Sequence, residues 1–500
     1  MAGAALEPIL RARESDPAGA RAIAPRVRAS GAALVVAGAL SGCVPVGPDF
    51  ERPAAIVSPQ FKEVAGWKIA TPRESEPKGE WWSVFHDAEL SRLESSVEIS
   101  NQTVKADEAN YREALALINE ARAGLFPTIN GNASAVHSSP NATSLTAEAT
   151  GQWMLDIWGQ VRREIEAQQA GAQGAAASLA NALLAEQSAL ALAYVQLREA
   201  DSLEDLLTKT VVEYKRSLTI TQNQYNAGTA AKSDVITAQA QVLNAQAQLI
   251  AAGVTRAQSE HAIAVLMGRP PAGLSVPHGA LANSVPSIPV RLPSSLLERR
   301  PDVAAAEETM RQANAEIGVA FAGYFPAVSL SGLLGYSGNP FAAEFGPSNP
   351  IWSFGASLAQ PLFNGGLTGA QVEAASETYQ SDVAIYRQTV LTAIQQVEDN
   401  LAGIRILSRE AKVQAEDVRI SRQATQIALN EYQAGTQAFT TVVTAEQQQL
   451  TAEEAQLSTQ GQIQTDAVSL IVALGGGWSQ SKLPDAAADS ALPPTPKPPL

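Results

Sequence analysis

Tyr225-Asn226-Ala227-Gly228-Thr229 returns 207 residues later as Tyr432-Gln433-Ala434-Gly435-Thr436. The same shift carries Leu155 onto Leu362, Gly159 onto Gly366 and Gly268 onto Gly475, while Gly124-Leu125-Phe126-Pro127 is echoed at a slightly shorter shift by Gly323-Tyr324-Phe325-Pro326. Several landmarks recurring in one order mark an internal duplication. Each copy reads as helix, two strands, very long helix, Gly-containing turn, helix. A Pro-rich connector over residues 270–301 separates the copies, because its prolines forbid one continuous helix.

Residues 160–225 and 367–432 hold no proline and only scattered glycine. Each is long enough for a helix of about 100 Å at 1.5 Å per residue. Alanine and glutamine dominate both halves and aromatics make up only 5% of the chain, a composition suited to long helices packed over small side chains. Tyr379, Val383, Tyr386, Val390, Ile394, Val397, Leu401 and Ile404 recur every three or four residues, a stripe that fits nearly straight, weakly supercoiled packing. Gly228 and Gly435 suit left-handed helix ends, so helices over 230–267 and 437–474 should return as hairpins. A plain two-stranded coiled coil is the alternative, but it explains neither the duplication nor the strands.

Those strands alternate. Thr150, Gln152, Met154 and Asp156 oppose Gly151, Trp153, Leu155 and Ile157; Val328, Leu330, Gly332, Leu334 and Tyr336 oppose Ser329, Ser331 and Ser337; Trp352, Phe354, Ala356 and Leu358 oppose Ser353, Gly355 and Ser357. With residues 128–138 they make four strands, each near the ten residues that a tilted strand needs to cross a bilayer, apolar outside and polar inside. After Cys43 no run of 18 apolar residues exists to form a spanning helix. Four strands cannot enclose an aqueous lumen, and open edges are not tolerated in lipid. Two copies would give eight strands filled by their own side chains, whereas three would give twelve and a channel, so the expected assembly is a trimer. Four soluble strands in a small sandwich are the alternative.

Cys43 is the sole cysteine, which excludes an internal disulfide. It follows a stretch with Arg11, Arg13, Arg21, Arg26 and Arg28 and the apolar run over 32–40, the parts of a bacterial export signal. Leu40-Ser41-Gly42-Cys43 resembles a lipobox, in which the thiol is acylated and becomes the mature N-terminus. Several acyl chains anchor durably where one is marginal. A plain cleaved signal followed by an idle thiol is the alternative. Cleavage after residue 42 removes five arginines and three acids, moving the net charge from −15 to −17. Nucleic acid is therefore excluded as a partner, since phosphate binding wants clustered Lys and Arg. His86, His137, His261 and His278 are scattered singly, and no metalloprotease, nucleophile-elbow or phosphate-loop motif occurs, so no catalytic residue, cofactor or metal site is expected.

Four motifs carry a resemblance: Cys43-Val44-Pro45-Val46-Gly47-Pro48-Asp49-Phe50-Glu51-Arg52-Pro53; Trp81-Trp82 with Phe85, Asp87 and Leu90; Glu298-Arg299-Arg300-Pro301-Asp302-Val303; and Pro361-Leu362-Phe363-Asn364-Gly365-Gly366. Together they resemble the lipoprotein branch of the TolC-like outer membrane efflux factors, over the mature chain to Trp478. The resemblance implies an α+β fold: a homotrimeric, twelve-stranded transmembrane β-barrel with four strands per chain, continued by a long α-helical periplasmic barrel with an equatorial domain. It implies the outer membrane channel of a tripartite pump exporting small toxic compounds, with a periplasmic adaptor and an inner membrane resistance-nodulation-division pump as partners, in the outer membrane of a Gram-negative bacterium. The exit channel of a type I protein secretion system is the alternative. Val44, rather than Asp, after a lipidated Cys43 fits outer membrane sorting in that family.

The implied organisation is a signal peptide over 1–42, a lipidated and equatorial segment over 43–89, a first repeat over 90–269, a connector over 270–297, a second repeat over 298–478 and a disordered tail over 479–500. By the same resemblance, Ser233 and Asp234 match positions that hydrogen-bond across a closed periplasmic mouth to a tyrosine matched by Tyr432. Gln437 stands where relatives often have arginine, and Thr441 and Thr444 stand where many have inward carboxylates. The constriction is thus expected to be neutral rather than a cation-binding acidic ring. Trp81, Trp82 and Phe85 are expected to pack in the equatorial band.

Overall fold

The computed structural model describes residues 45–64, 80–138, 142–282, 288, 298–338, 350–479 and 483–484. These belong to one compact unit beginning at Pro45. The proposed signal peptide, Cys43 and nearly all of the tail lie outside the described residues.

The first copy contains α1 (Ala88–Ser100), α2 (Gln102–Ala123), β1 (Thr128–Ser138), β2 (Ala142–Leu155), α3 (Gln160–Asn226) and α4 (Lys232–Leu266). The second contains α5 (Pro301–Ala322), β3 (Ala327–Gly338), β4 (Pro350–Ala359), α6 (Leu367–Gln433) and α7 (Phe439–Ala473). The duplication is literal. α3 and α6 are both 67 residues long, α4 and α7 both 35, and each pair is offset by 207. The helices before the strands are offset by only 199, so the eight extra residues fall in the connection between β3 and β4.

Local chemistry sets the element ends. Asp87 caps α1 by accepting from Glu89 N (2.9 Å) and Leu90 N (3.0 Å), and Asn101 caps α2 by accepting from Thr103 N (2.8 Å) and Val104 N (3.1 Å). At the hairpin turns Gly228 and Gly435 sit at φ 79° and 75°, a region that side-chain-bearing residues avoid. Their amides donate to Tyr225 O and Tyr432 O, and the next residues, Thr229 and Thr436, donate from N to Gln224 O and Glu431 O. Both threonine hydroxyls return to those same carbonyls at 3.0 Å, which is why Gly-Thr recurs as a pair.

The four strands form one antiparallel sheet in the order β1-β2-β3-β4. The stripe on α6 is buried as its periodicity foretells, with Tyr386, Val397 and Leu401 fully enclosed against Val303 and Met310 of α5 and Leu470 of α7. Trp81 and Trp82 are buried in a second cluster with Leu93, Leu190 and Ile263, and Trp81 Nε1 donates to Gln187 Oε1 at 3.3 Å.

Two irregular segments brace the copies. Residues 45–64 cross from α3 to α6. Arg163, itself buried, donates to the carbonyls of Val46 (3.0 Å) and Gly47 (3.2 Å) and pairs with Asp49 (2.8 Å); further along, Arg52 makes a two-pronged bond to buried Glu307 at 2.8 and 2.5 Å. Lys62 N and Glu63 N then donate to Glu398 of α6. The connector is held by buried Asp201, which accepts from Arg256 (2.7 Å), Arg198 (3.0 Å) and Gly279 N (3.0 Å). Glu204 and His278 lie close enough to Asp201 to suggest metal ligation, but two guanidiniums already neutralise Asp201, and the cluster is an ion-pair network that fastens the connector.

Candidate functional site

The sheet has two chemically opposite faces. One carries the rows Ile129–Gly151–Gly332–Phe354, Gly131–Ala149–Leu334–Trp352 and Trp153–Leu330–Ala356, and stays apolar through Ala135–Leu145. The other carries Thr128–Gln152–Ser331–Gly355, Asn130–Thr150–Leu333–Ser353 and Asn132–Glu148–Gly335–Ile351, with hydroxyl pairs Thr146–Ser337 (3.2 Å) and Ser329–Ser357 (2.7 Å). Trp352 and Phe354 are each 75% exposed, although water is the wrong solvent for them. Among the described residues β1 and β4 each pair on one side only, leaving a row of backbone donors and acceptors open at both edges. Apolar face, polar face and free edges together describe a segment of a barrel wall, with lipid outside and water inside. At its helix-side rim Trp158 stacks on Phe325 with centroids 4.7 Å apart, while Phe126, Tyr324 and Phe363 stay exposed, an aromatic girdle of the kind found at membrane–water boundaries. Among the described residues no helix is long and apolar enough to cross a membrane.

The helices show the same incompleteness. α3 packs with α4, α6 with α7, and within the protomer the two hairpins meet along α3 and α7. That leaves α4 and α6 as outer edges. Each carries an exposed apolar residue every seventh position: Ile236, Leu243 and Ile250 on α4, and Ile406, Val413, Ile420 and Ile427 on α6. Seven-residue spacing keeps one side of a helix facing a partner.

At the hairpin tips, Ser233 is exposed and Asp234 half-buried in the first turn of α4, where a carboxylate favours the N-terminal dipole. Tyr432 is buried against Phe439, centroids 5.1 Å apart, in a cluster with Ala238, Leu429 and Val442. Within one protomer its hydroxyl bonds neither Ser233 nor Asp234, and its polar neighbour is the Thr221 hydroxyl of α3. Burial raises the phenol above its ordinary pKa; the Thr221 hydroxyl opposes the rise and the Asp234 charge adds to it. Gln437, just before α7, and Thr441 and Thr444 in its first turns are exposed and uncharged, and Thr441 donates to Gln437 Oε1 at 3.4 Å. Gln224 Nε2 reaches across the tips to Tyr432 O at 3.0 Å, a link between the copies that sequence reading missed.

Residues 93–269 and 292–476 match the family model described as outer membrane efflux protein. The chain belongs to that family. This efflux protein is 30% identical over 467 residues to the outer membrane protein OprJ of Pseudomonas aeruginosa, a match covering 90% of this chain and 96% of OprJ. It is 27% identical over 458 residues to the toluene efflux pump outer membrane protein TtgC of Pseudomonas putida, covering 89% and 94% of the two chains. Among solved structures, the outer-membrane channel OprN superposes with a TM-score of 0.80 at 28% identity, over 87% of this chain and 99% of that one. The amphipathic sheet and paired helical hairpins are thus those of an outer membrane efflux channel. The edge stripes of the efflux protein were the part of the site least visible in sequence: one apolar residue per seven, set among alanine and glutamine, gives a faint signal, though the spacing of Ile236, Leu243 and Ile250 was there to be counted.

Proposed function

We propose that three copies of this chain close head to tail into a twelve-stranded barrel, continue into the periplasm as a helical tunnel, and serve as the outer membrane conduit of a tripartite pump that exports small toxic compounds. The observation that carries this is the sheet with one lipid-compatible face, one water-compatible face and two unpaired edges. Strand β4 of one copy would pair with β1 of the next, and α4 would pack on α6. A heterologous contact that closes by three-fold rotation leaves no edge. The tips are where an adaptor protein and a resistance-nodulation-division pump would engage. The relative TtgC is named as the outer membrane protein of a toluene efflux pump, which favours efflux over protein secretion. Purified protein placed in planar bilayers should give discrete single-channel currents; silent membranes at protein levels that insert would count against the conduit.

Acylation of Cys43 fits this arrangement. The described chain begins at the aromatic rim, where Val46 N donates to Trp158 O at 3.0 Å, and a membrane boundary is where acyl chains are wanted. Wild-type protein grown with labelled palmitate should carry the label and Cys43→Ala should not; label on the variant would refute acylation at this thiol.

Ser233, Asp234 and Tyr432 form the proposed periplasmic gate, with Gln437, Thr441 and Thr444 as a neutral throat. Asp234→Ala should raise single-channel conductance by loosening the start of α4 at the mouth. An unchanged conductance would remove Asp234 from the gate.

A further inference from the structure

The seam between the two hairpins holds a carboxyl group that has no counter-ion among the described residues. Glu446 of α7 is 5% exposed and borders a cleft of about 480 Å³ between α3, α6 and α7. Its Oε1 accepts from the Ser217 hydroxyl of α3, while Oε2 is buried with no partner. Tyr214 of α3 donates to the Glu446 carbonyl at 3.3 Å, so the residue is fixed at the contact by both backbone and side chain. The charged neighbours give it no relief. On α3, Glu213 accepts from Gln449 Nε2 at 3.2 Å and adds a second negative charge near Glu446. On α6, Arg422 is committed to Glu453 of α7 at 2.6 Å. Asp205, Lys209 and Arg216 of α3 line the same cleft, and no ion pair joins either cation to Glu446 among the described residues. Glu454 of α7 adds a further carboxylate near Tyr214.

We propose that Glu446 is a proton-operated catch between the hairpins: as a neutral acid it lets α3 and α7 stay packed, and as a carboxylate it drives them apart toward the tip. This rests on the reading of the tips as the periplasmic mouth of a channel. The physical reason is hydration. An ionised carboxylate with one bare oxygen, facing Glu213, gains far more from water than a neutral acid does, and water reaches it only when the seam parts.

Burial pushes the Glu446 carboxyl up to about 7, well above the usual carboxylate range; the Ser217 hydrogen bond opposes the rise and the Glu213 charge adds to it. The sign follows from linkage. The packed seam holds its proton more tightly than the parted one, so its stability is full below about 4.5 and is lost as pH rises through about 7, close to tenfold in the packed-to-parted ratio per pH unit. Acid outside the cell would hold the mouth shut.

The test is open probability of the full-length trimer in planar bilayers between pH 4.5 and 8. Wild type should open more as pH rises, by up to roughly a hundredfold, and level off above about 7. Glu446→Gln, a permanent stand-in for the neutral acid, should stay at the low level throughout. Glu213→Gln should move the rise toward acid and Ser217→Ala toward alkali, opposite displacements that a merely structural role would not produce. Channels whose pH profile is the same in wild type and Glu446→Gln overturn the catch alone. A protein that forms no channel at any pH overturns the conduit reading and the catch with it.

Discussion

Leu243→Asp on α4 and Ile420→Asp on α6 should each leave the protein as monomers that no longer migrate as an SDS-resistant trimer. Leu243 is 65% exposed and Ile420 47% exposed on edge helices whose other faces are already packed, so their apolar surface awaits a neighbour. Burying such a side chain contributes about 1.5–3 kcal/mol. An aspartate in its place forfeits that gain and adds the cost of enclosing an unpaired carboxylate, several kcal/mol more. Head-to-tail closure repeats each loss at three interfaces. The same substitution on either edge should therefore have the same outcome, because in the proposed trimer α4 and α6 are two halves of one contact. Gel migration with and without heating reads the result, and a variant that stays trimeric would mean that its helix faces solvent or lumen instead.

Glu94→Gln should stabilise the folded protein at neutral and alkaline pH. Glu94 lies on α1 between Leu90, Leu93 and Val97, is completely enclosed, and has no partner for either carboxylate oxygen among the described residues. Desolvation pushes it up to about 9. The folded state keeps the proton that the unfolded chain gives up near 4.5. Folding stability from this site is thus full below about 4.5 and falls by about 1.4 kcal/mol per pH unit up to about 9, some 4 kcal/mol by pH 7.5. The amide does not titrate, and its own unmet hydrogen bonds cost about 1–3 kcal/mol at every pH. The variant should be no more stable than wild type at pH 4.5 and clearly more stable at pH 8. Thermal unfolding in detergent at the two values reads the difference; parallel pH slopes would show that Glu94 is solvated in the assembled protein.

Much of this architecture is legible before any coordinates. The long helices expected over 160–225 and 367–432 run over Gln160–Asn226 and Leu367–Gln433, because an unbroken Ala/Gln-rich stretch ending in Gly-Thr has one local solution. The sheet faces follow from alternation alone, since a period of two assigns Trp352, Phe354 and Leu358 to one side whatever the partner strand. What escapes is whatever depends on residues far apart in the chain. Nothing near Arg163 announces that it is buried under the carbonyls of Val46 and Gly47, more than a hundred residues earlier. Glu94 reads as an ordinary polar helix residue until the fold encloses it completely. Tyr432 is instructive in the other direction: its place beside the Gly-Thr turn marks it as a tip residue, but only packing reveals that its hydroxyl is enclosed against Phe439 rather than bonded to Asp234 within the protomer.

Native mass spectrometry of the detergent-extracted, full-length protein tests the shared wall most directly. Three chains in one particle, falling to single chains in Leu243→Asp and Ile420→Asp, is the expected result. A wild-type protein that leaves the membrane as a stable monomer would contradict it, because four strands with two bare edges have no way to stand alone in lipid.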